Sequence, residues 1–431
     1  MSYSSFINSP FVEGWVVRSF IISYFPAFEK RKLFAPLAKL WCLGYNRDIQ
    51  ILDKVRFGQM KCQRLFRGEG DDCIRIPTIV AAPDGTVYAF ANVRVSTSRD
   101  NAAETHLMVA VKRPGCDWEE AKTVASRKDW SYMIGSAVCD SVTGKVMCFF
   151  KKIAVVLHEF KKEMGPEERN RLAAIKEERD GDKEGDYVLE TTDGITFTQR
   201  KIEIKPMAGG ASGFLLGKGG SPHGSGSGVT LQYGPHKGRI VVPARVSLKE
   251  CVTWEDLKTG SSNTVIYSDD RGESFVTGGI VEPGTGEGTL AERSDGSIYY
   301  NSRAYFNDGL RRGAVSYDGG ESFVEQSIHQ DLIEPCCNAA VLRVEWQGKT
   351  IFFFSNPRST TDRVDMSVYY SLDEGATWTY GVTIDHRKAA YSSMCYDAKS
   401  EKVFLLFECG TETSVDQIDV VEFTPDEILG Q

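Results

Sequence analysis

Four arginines, Arg75, Arg94, Arg303 and Arg363, stand in or beside stretches that otherwise read as apolar β-strands. In "DDCIRIPTIVAAPDGTVYAFANVR", Arg75 falls between Ile74 and Ile76, so strand alternation turns it to the face opposite those isoleucines. Arg94 ends the same run, Arg303 ends "SIYYNSR", and Arg363 follows the strand and loop "FFFSNPRSTTD". A charge in such a run must be paired or must open onto a cavity. Taken singly, each reads as an ordinary salt-bridge residue. Taken together on strands that converge, three guanidiniums make a carboxylate receptor, because each planar fork binds a carboxylate bidentately.

Convergence requires a repeated scaffold, and the chain carries one. "SDDRGESF" from Ser268, "SYDGGESF" from Ser316 and "SLDEGATW" from Ser371 share the pattern S-x-D-x-G-x-(S/T)-(W/F). Asp accepts hydrogen bonds from its own turn, Gly takes a positive φ, and the closing aromatic starts the next strand and packs inward. Alternating runs precede the boxes, as in "NTVIYSDD" and "SVYYSLDEG". The repeat length is that of a four-stranded antiparallel unit with its loops, the size of one propeller blade. The expectation is an all-β, six-bladed β-propeller of four-stranded antiparallel sheets, its inner strands lining the axis. "RPGCDW" at 113–118 and "ETTDGITF" read as degenerate boxes.

The 431 residues include 41 Gly and 11% aromatics, in keeping with an all-β chain that forms one long repeat unit. The net charge of -8 and the lack of a basic block argue against nucleic acid as a partner. Eleven scattered cysteines form no C-x-x-C pair, and His223 and His236 have no H-E-x-x-H spacing, so no metal or other cofactor is expected. Cys148 and Cys395 lie in apolar runs and read as small buried hydrophobes, favouring a reducing, intracellular compartment.

Residues 1–59 read as an N-terminal extension before a domain spanning 60–431. The extension's apolar stretch 11–28 is interrupted by Glu13 and Arg18, and the basic-then-apolar stretch 30–44 is internal and broken by Lys39. Neither is expected to be a transmembrane span or a secretion signal. Residues 151–183 are dense in Glu, Lys and Arg at helical spacing, with Gly165 and Pro166 between two segments. They are expected to form a helical insertion within one blade.

With "IRIPT" at Arg75, the three boxes, and "GVTLQYGPHKGRIVVPA" at 228–244, the chain from about residue 62 to 425 resembles the exo-α-sialidase (neuraminidase) family. The resemblance implies that Arg75, Arg303 and Arg363 bind the substrate carboxylate and that Arg94 contacts substrate at the pocket floor. It implies that Tyr391 in "AAYSSM" is the nucleophile, Glu287 in "GTGEGTL" its partner carboxylate, and Asp100 in "VSTSRDNAAE" the acid/base. By themselves, Tyr391 reads as a strand aromatic, Asp100 as a loop residue and Glu287 as an exposed turn.

The chemistry suits these residue types. A sialic acid carries its carboxylate on the anomeric carbon, so the anionic Asp or Glu nucleophile of an ordinary retaining glycosidase would be repelled. A neutral tyrosine avoids the repulsion but needs a base beside it. The implied substrates are sialylated glycoproteins, glycolipids or oligosaccharides. Three alternatives remain open: preference for a deaminated sialic acid, transfer to an acceptor sugar on an aromatic platform, and sialic-acid binding without turnover.

Overall fold

The computed structural model describes residues 60–98, 104–128, 130–155, 184–207, 220–222, 224, 226–249, 251 and 253–430. All of them belong to the compact unit Met60–Gln431. The fold is all-β, but the expected six separate four-stranded sheets are not what forms. Hydrogen bonding defines five sheets, with four, four, five, four and seven strands in chain order from residue 73.

The first sheet contains Cys73–Ala81, Val87–Arg94, Thr105–Lys112 and Lys122–Ala125. The second contains Trp130–Cys139, Val146–Ala154, Gly185–Thr191 and Thr198–Lys201. The third runs Val229–Thr230, Ile240–Ser247, Ser261–Ser268, Phe275–Thr277 and Ile204–Lys205, and the last two strands pair in parallel. The fourth contains Thr285–Glu292, Ile298–Ala304, Leu310–Ser316 and Val324–Ile333. The fifth runs Ala340–Trp346, Lys349–Pro357, Val364–Ser371, Thr379–Asp397, Lys402–Gly410, Gln417–Phe423 and finally Gln63–Arg67.

One strand accounts for the corrected count. Thr379–Asp397 continues for 19 residues without the break that six separate sheets would require. Its first half pairs with Val364–Ser371 and its second half with Lys402–Gly410, so two groups of strands fuse into one sheet. Bulges along it supply the bend. The parallel addition of Ile204–Lys205 is the second departure from the expected antiparallel sheets of four. Among the described residues the helices are short, Trp254–Gly260 and Pro425–Leu429. The expected helical insertion falls largely on residues 156–183, which lie outside the described residues, as does the extension 1–59.

Apolar clusters join each sheet to the next: first to second around Phe90 and Phe150, second to third around Phe149 and Phe275, and third to fourth around Val265 and Tyr300. The fourth joins the fifth around Tyr299 and Phe354, and the fifth joins the first around Phe404 and Ile79. The five sheets therefore close a ring. Closure is sealed by the chain's own order, because Gln63–Arg67 pairs with Gln417–Phe423. Strands at the inner edges, such as Thr285–Glu292, are buried along their whole length, whereas the outer strand Val324–Ile333 is largely exposed. Where inner edges meet, Ser and Thr hydroxyls satisfy the backbone: Ile79 N–H donates to Ser393 Oγ at 3.1 Å, and Val341 N–H to Thr289 Oγ1 at 2.9 Å.

The three boxes fold alike. In each, the first Ser Oγ donates to the Asp Oδ1 and accepts from the Gly N–H (2.8 Å at Gly272, Gly320 and Gly375). The Asp also accepts from the backbone N–H and hydroxyl of Ser274, Ser322 or Thr377. The three glycines have φ of 84°, 95° and 90°, and the closing Phe275, Phe323 and Trp378 are buried. In "ETTDGITF", Thr191 and Asp193 make a shorter version, with Gly194 N–H on Thr191 Oγ1 at 2.9 Å.

Candidate active site

Arg75, Glu287 and Tyr391 each lie on a strand that is bulged at that residue. The register slips between Arg75 and Thr78, between Thr285 and Gly288, and between Ala389 and Ser392, at Arg75, Glu287 and Tyr391 respectively. A bulge breaks the two-residue alternation and re-aims a side chain. At the first bulge Ile76 has φ of 59°, a conformation that a β-branched residue resists. Its N–H donates to Glu408 Oε1 at 2.8 Å, and the side chain packs against the cluster of Cys337, Ala390 and Tyr391.

Glu287 is a buried strand residue, not the exposed turn its flanking glycines suggest on their own. The glycines are there for close approach. A Cβ on Gly286 would lie 2.2 Å from the Tyr305 hydroxyl oxygen, and one on Gly288 would lie 2.2 Å from the Tyr300 ring. Two tyrosines thus lie against the strand that presents Glu287.

Tyr391, Glu287 and Arg303 meet directly. The Tyr391 hydroxyl donates to Glu287 Oε1 at 2.5 Å, while Arg303 Nη1 donates to Glu287 Oε2 at 2.6 Å and to the Tyr391 oxygen at 3.2 Å. Arg75 and Arg363 lie against the Tyr391 ring, with guanidinium carbons 5.1 and 5.6 Å from its centroid. Arg363 Nη2 donates to the Cys336 carbonyl at 3.3 Å, and Arg303 Nε to Cys336 Sγ at 3.3 Å. The three arginines predicted from separate parts of the chain thus surround one tyrosine.

Burial pushes the Glu287 carboxyl up, but the charges of Arg303 and Arg245 and the hydrogen bonds from Tyr391 and Arg303 outweigh it and hold it at about 2. For Tyr391, burial and then the Glu287 charge raise the phenol well above its usual value, against the opposing pull of Arg303 and Arg75. The resting pair is therefore a neutral phenol donating to an ionised carboxylate.

Arg94 lies opposite Cys73 on the neighbouring strand and donates to the Ser98 carbonyl at 2.9 Å, two residues before Asp100 in the sequence. Asp100 and His223 lie outside the described residues.

Two further residues belong to this cluster, each a charge in an apolar run, "LLFECG" and "VVPARV", with no motif to mark it. Glu408, fully buried, accepts from Arg75 Nε at 2.7 Å, Ile76 N–H and, at 3.1 Å, Tyr391 N–H. It ties the first-sheet arginine to the fifth-sheet tyrosine. Arg245, on Ile240–Ser247, reaches the Tyr305 hydroxyl at 3.4 Å. Elsewhere, Cys62, Asp385 and Asp419 bring ligand atoms within 4.8 Å of one another. Arg387 donates to both carboxylates, so a guanidinium already supplies the positive charge there.

The profile of the BNR repeat-like domain matches residues 85–403. The sialidase of Micromonospora viridifaciens is 27% identical over 365 residues, covering 80% of this chain and 51% of its own length. Sialidase-3 of Homo sapiens is 28% identical over 421 residues, covering 85% of this chain and 92% of its own. This chain belongs to the sialidase family. It spans about half the length of the Micromonospora relative. Among solved structures, the Hadza microbial sialidase Hz136 aligns with a TM-score of 0.65 at 22% identity, over 83% of this sialidase-family chain and 66% of the other. The leech intramolecular trans-sialidase complexed with 2,7-anhydro-Neu5Ac aligns with a TM-score of 0.64 at 14% identity, over 87% and 72%. These two likenesses concern the fold.

Proposed function

We propose that this chain is an exo-α-sialidase that removes terminal sialic acids from glycoproteins, glycolipids or oligosaccharides with net retention. The observation that carries the reading is the 2.5 Å hydrogen bond from the Tyr391 hydroxyl to Glu287, set among Arg75, Arg303 and Arg363. The three guanidiniums hold the substrate carboxylate and so place the anomeric carbon at the tyrosine oxygen. Tyr391 Oη attacks that carbon as its proton passes to Glu287, and the bond to the departing sugar oxygen breaks. Asp100, assigned from the family pattern, protonates that oxygen. In the second step Asp100 takes a proton from water, the water oxygen bonds to the anomeric carbon, and Tyr391 leaves, regaining its proton from Glu287. Arg303 stabilises the oxygen of Tyr391 while it carries negative charge. A binding protein without turnover has no use for a phenol aligned on a carboxylate.

The test is Tyr391→Phe together with NMR of the first sugar released by the unaltered enzyme, before mutarotation. The expected results are a folded variant with normal turnover abolished, and release of the α-anomer. An inverted product, or a phenylalanine variant with full activity, would overturn the reading.

A further inference from the structure

The chain passes from the fourth sheet to the fifth, between Val324–Ile333 and Ala340–Trp346, through "EPCCNA" at 334–339. This short connection holds several parts of the site at once. Cys336 joins two guanidiniums: its carbonyl accepts from Arg363 Nη2 at 3.3 Å, and its Sγ accepts from Arg303 Nε at 3.3 Å. Cys337 belongs to the small buried cluster of Ala390 and Tyr391. Asn338 Oδ1 accepts at 3.1 Å from the N–H of Ser392, the residue after Tyr391. One segment outside the sheets therefore spaces Arg303, Arg363 and the strand that bears Tyr391.

Such a segment needs an anchor. Cys336 has φ of 50°, a left-handed conformation that residues other than glycine resist and that persists only where neighbours over-determine it. The anchor is a buried ion pair. Arg311, fully buried on Leu310–Ser316, donates Nη1 to Glu334 Oε2 at 2.7 Å and to the Cys337 carbonyl at 2.8 Å, and Nε to Asn301 Oδ1 at 2.7 Å. Glu334 accepts on Oε1, at 2.8 Å, from the N–H of Ala304, which follows Arg303 on its strand. Its own N–H donates to the Gly309 carbonyl at 2.9 Å. The pair thus grips the segment at Glu334 and Cys337, and grips the strand beside Arg303. Desolvation offsets most of what a buried pair contributes to stability, so fixing geometry is the better account of this one.

We propose that Arg311, paired with Glu334, is a positioning residue that sets the spacing of Arg303 and Arg363 and thereby the binding of the substrate carboxylate. It acts through residues 334–338. The inference rests on the sialidase reading of the same site. Forked donors on one carboxylate demand a fixed geometry, and a small displacement of either guanidinium loses hydrogen bonds. Arg363 loses them in the ground state and the transition state alike, so the loss belongs in KM.

The experiment is Arg311→Lys, which keeps the charge but gives up the planar fork that reaches Glu334, Cys337 and Asn301 together. On an aryl α-sialoside, well below the unfolding transition, KM should rise about tenfold, the low end for a hydrogen bond to a charged group. The kcat should stay within threefold. A residue that only supports the fold would do the opposite, lowering apparent kcat with the folded fraction and leaving KM unchanged. Glu334→Asp, one methylene short of spanning Arg311 and the Ala304 N–H, should give the same split, and it decides if the lysine variant does not fold. A KM within twofold of the unaltered enzyme, with or without a fall in kcat, would overturn the proposal and leave the sialidase reading standing. An unaltered enzyme idle on the sialoside would overturn that reading, and the proposal with it.

Discussion

Replacing Glu408 by Gln should destabilise the protein by about 3–5 kcal/mol, although the side chain keeps its shape. The carboxylate takes three donors, two on Oε1 from Arg75 and Ile76 and one on Oε2 from Tyr391 N–H. An amide has only one oxygen. With that oxygen toward Arg75 and Ile76, its NH₂ faces the Tyr391 N–H, and one buried donor loses its partner at about 1–3 kcal/mol. Flipped, it leaves two donors facing an NH₂. Either way Arg75, buried to 8% exposure, loses the charge of Glu408, which brings the total to the range for breaking a buried pair. The assay is urea unfolding of the unaltered protein and the variant, followed by tryptophan fluorescence, with kcat/KM measured well below the transition. Activity should fall at least tenfold, because Arg75 and the Tyr391 backbone are no longer fixed to one group. A destabilisation under about 1 kcal/mol would refute the reasoning, since it would show that Arg75 finds another anion or water when Glu408 is neutral.

Glu287→Gln should lower kcat by about 10²–10⁴-fold, the usual worth of a general base, and a drop of under tenfold would remove Glu287 from that role. Glu287 is held near 2, below its unfolded value, so its contribution to stability is present above about pH 4.3 and is lost as pH falls toward 2. Acid unfolding of the unaltered protein should therefore extend further into that window than unfolding of the Gln variant. Gly288→Ala should cost about 1–3 kcal/mol or more by driving a methyl into the buried Tyr300 ring, measured as a lower urea midpoint. Asp318→Ala should remove the acceptor for Ser316, Ser322 N–H and the Ser322 hydroxyl, lowering stability by about 1–2 kcal/mol while leaving kcat/KM within twofold. A large loss of activity at unchanged stability would contradict the separation of the boxes from the site.

The sequence by itself determined what depends on neighbouring residues. Each box closes its turn by hydrogen bonds between residues two to four apart, so the pattern of Ser, Asp and Gly was enough to read the turn and the positive φ of its glycine. The apolar runs around Cys148 and Cys395 likewise announced buried strands. Arg75, Arg303 and Arg363 were visible as charges in apolar runs, and Glu287 and Tyr391 through the family's motifs. Their meeting belongs to the tertiary structure: Tyr391 and Glu287 are 104 residues apart, and Arg75 and Glu408 are 333 apart. Glu408 is likewise a charge in an apolar run, "LLFECG", but nothing local names its partner, and only ring closure brings the first sheet against the fifth and makes its burial tolerable. The number of sheets was misread for the same reason. Whether Thr379–Asp397 turns or bends is decided by strands on both of its sides, which share its backbone hydrogen bonds and hold it as one bulged strand.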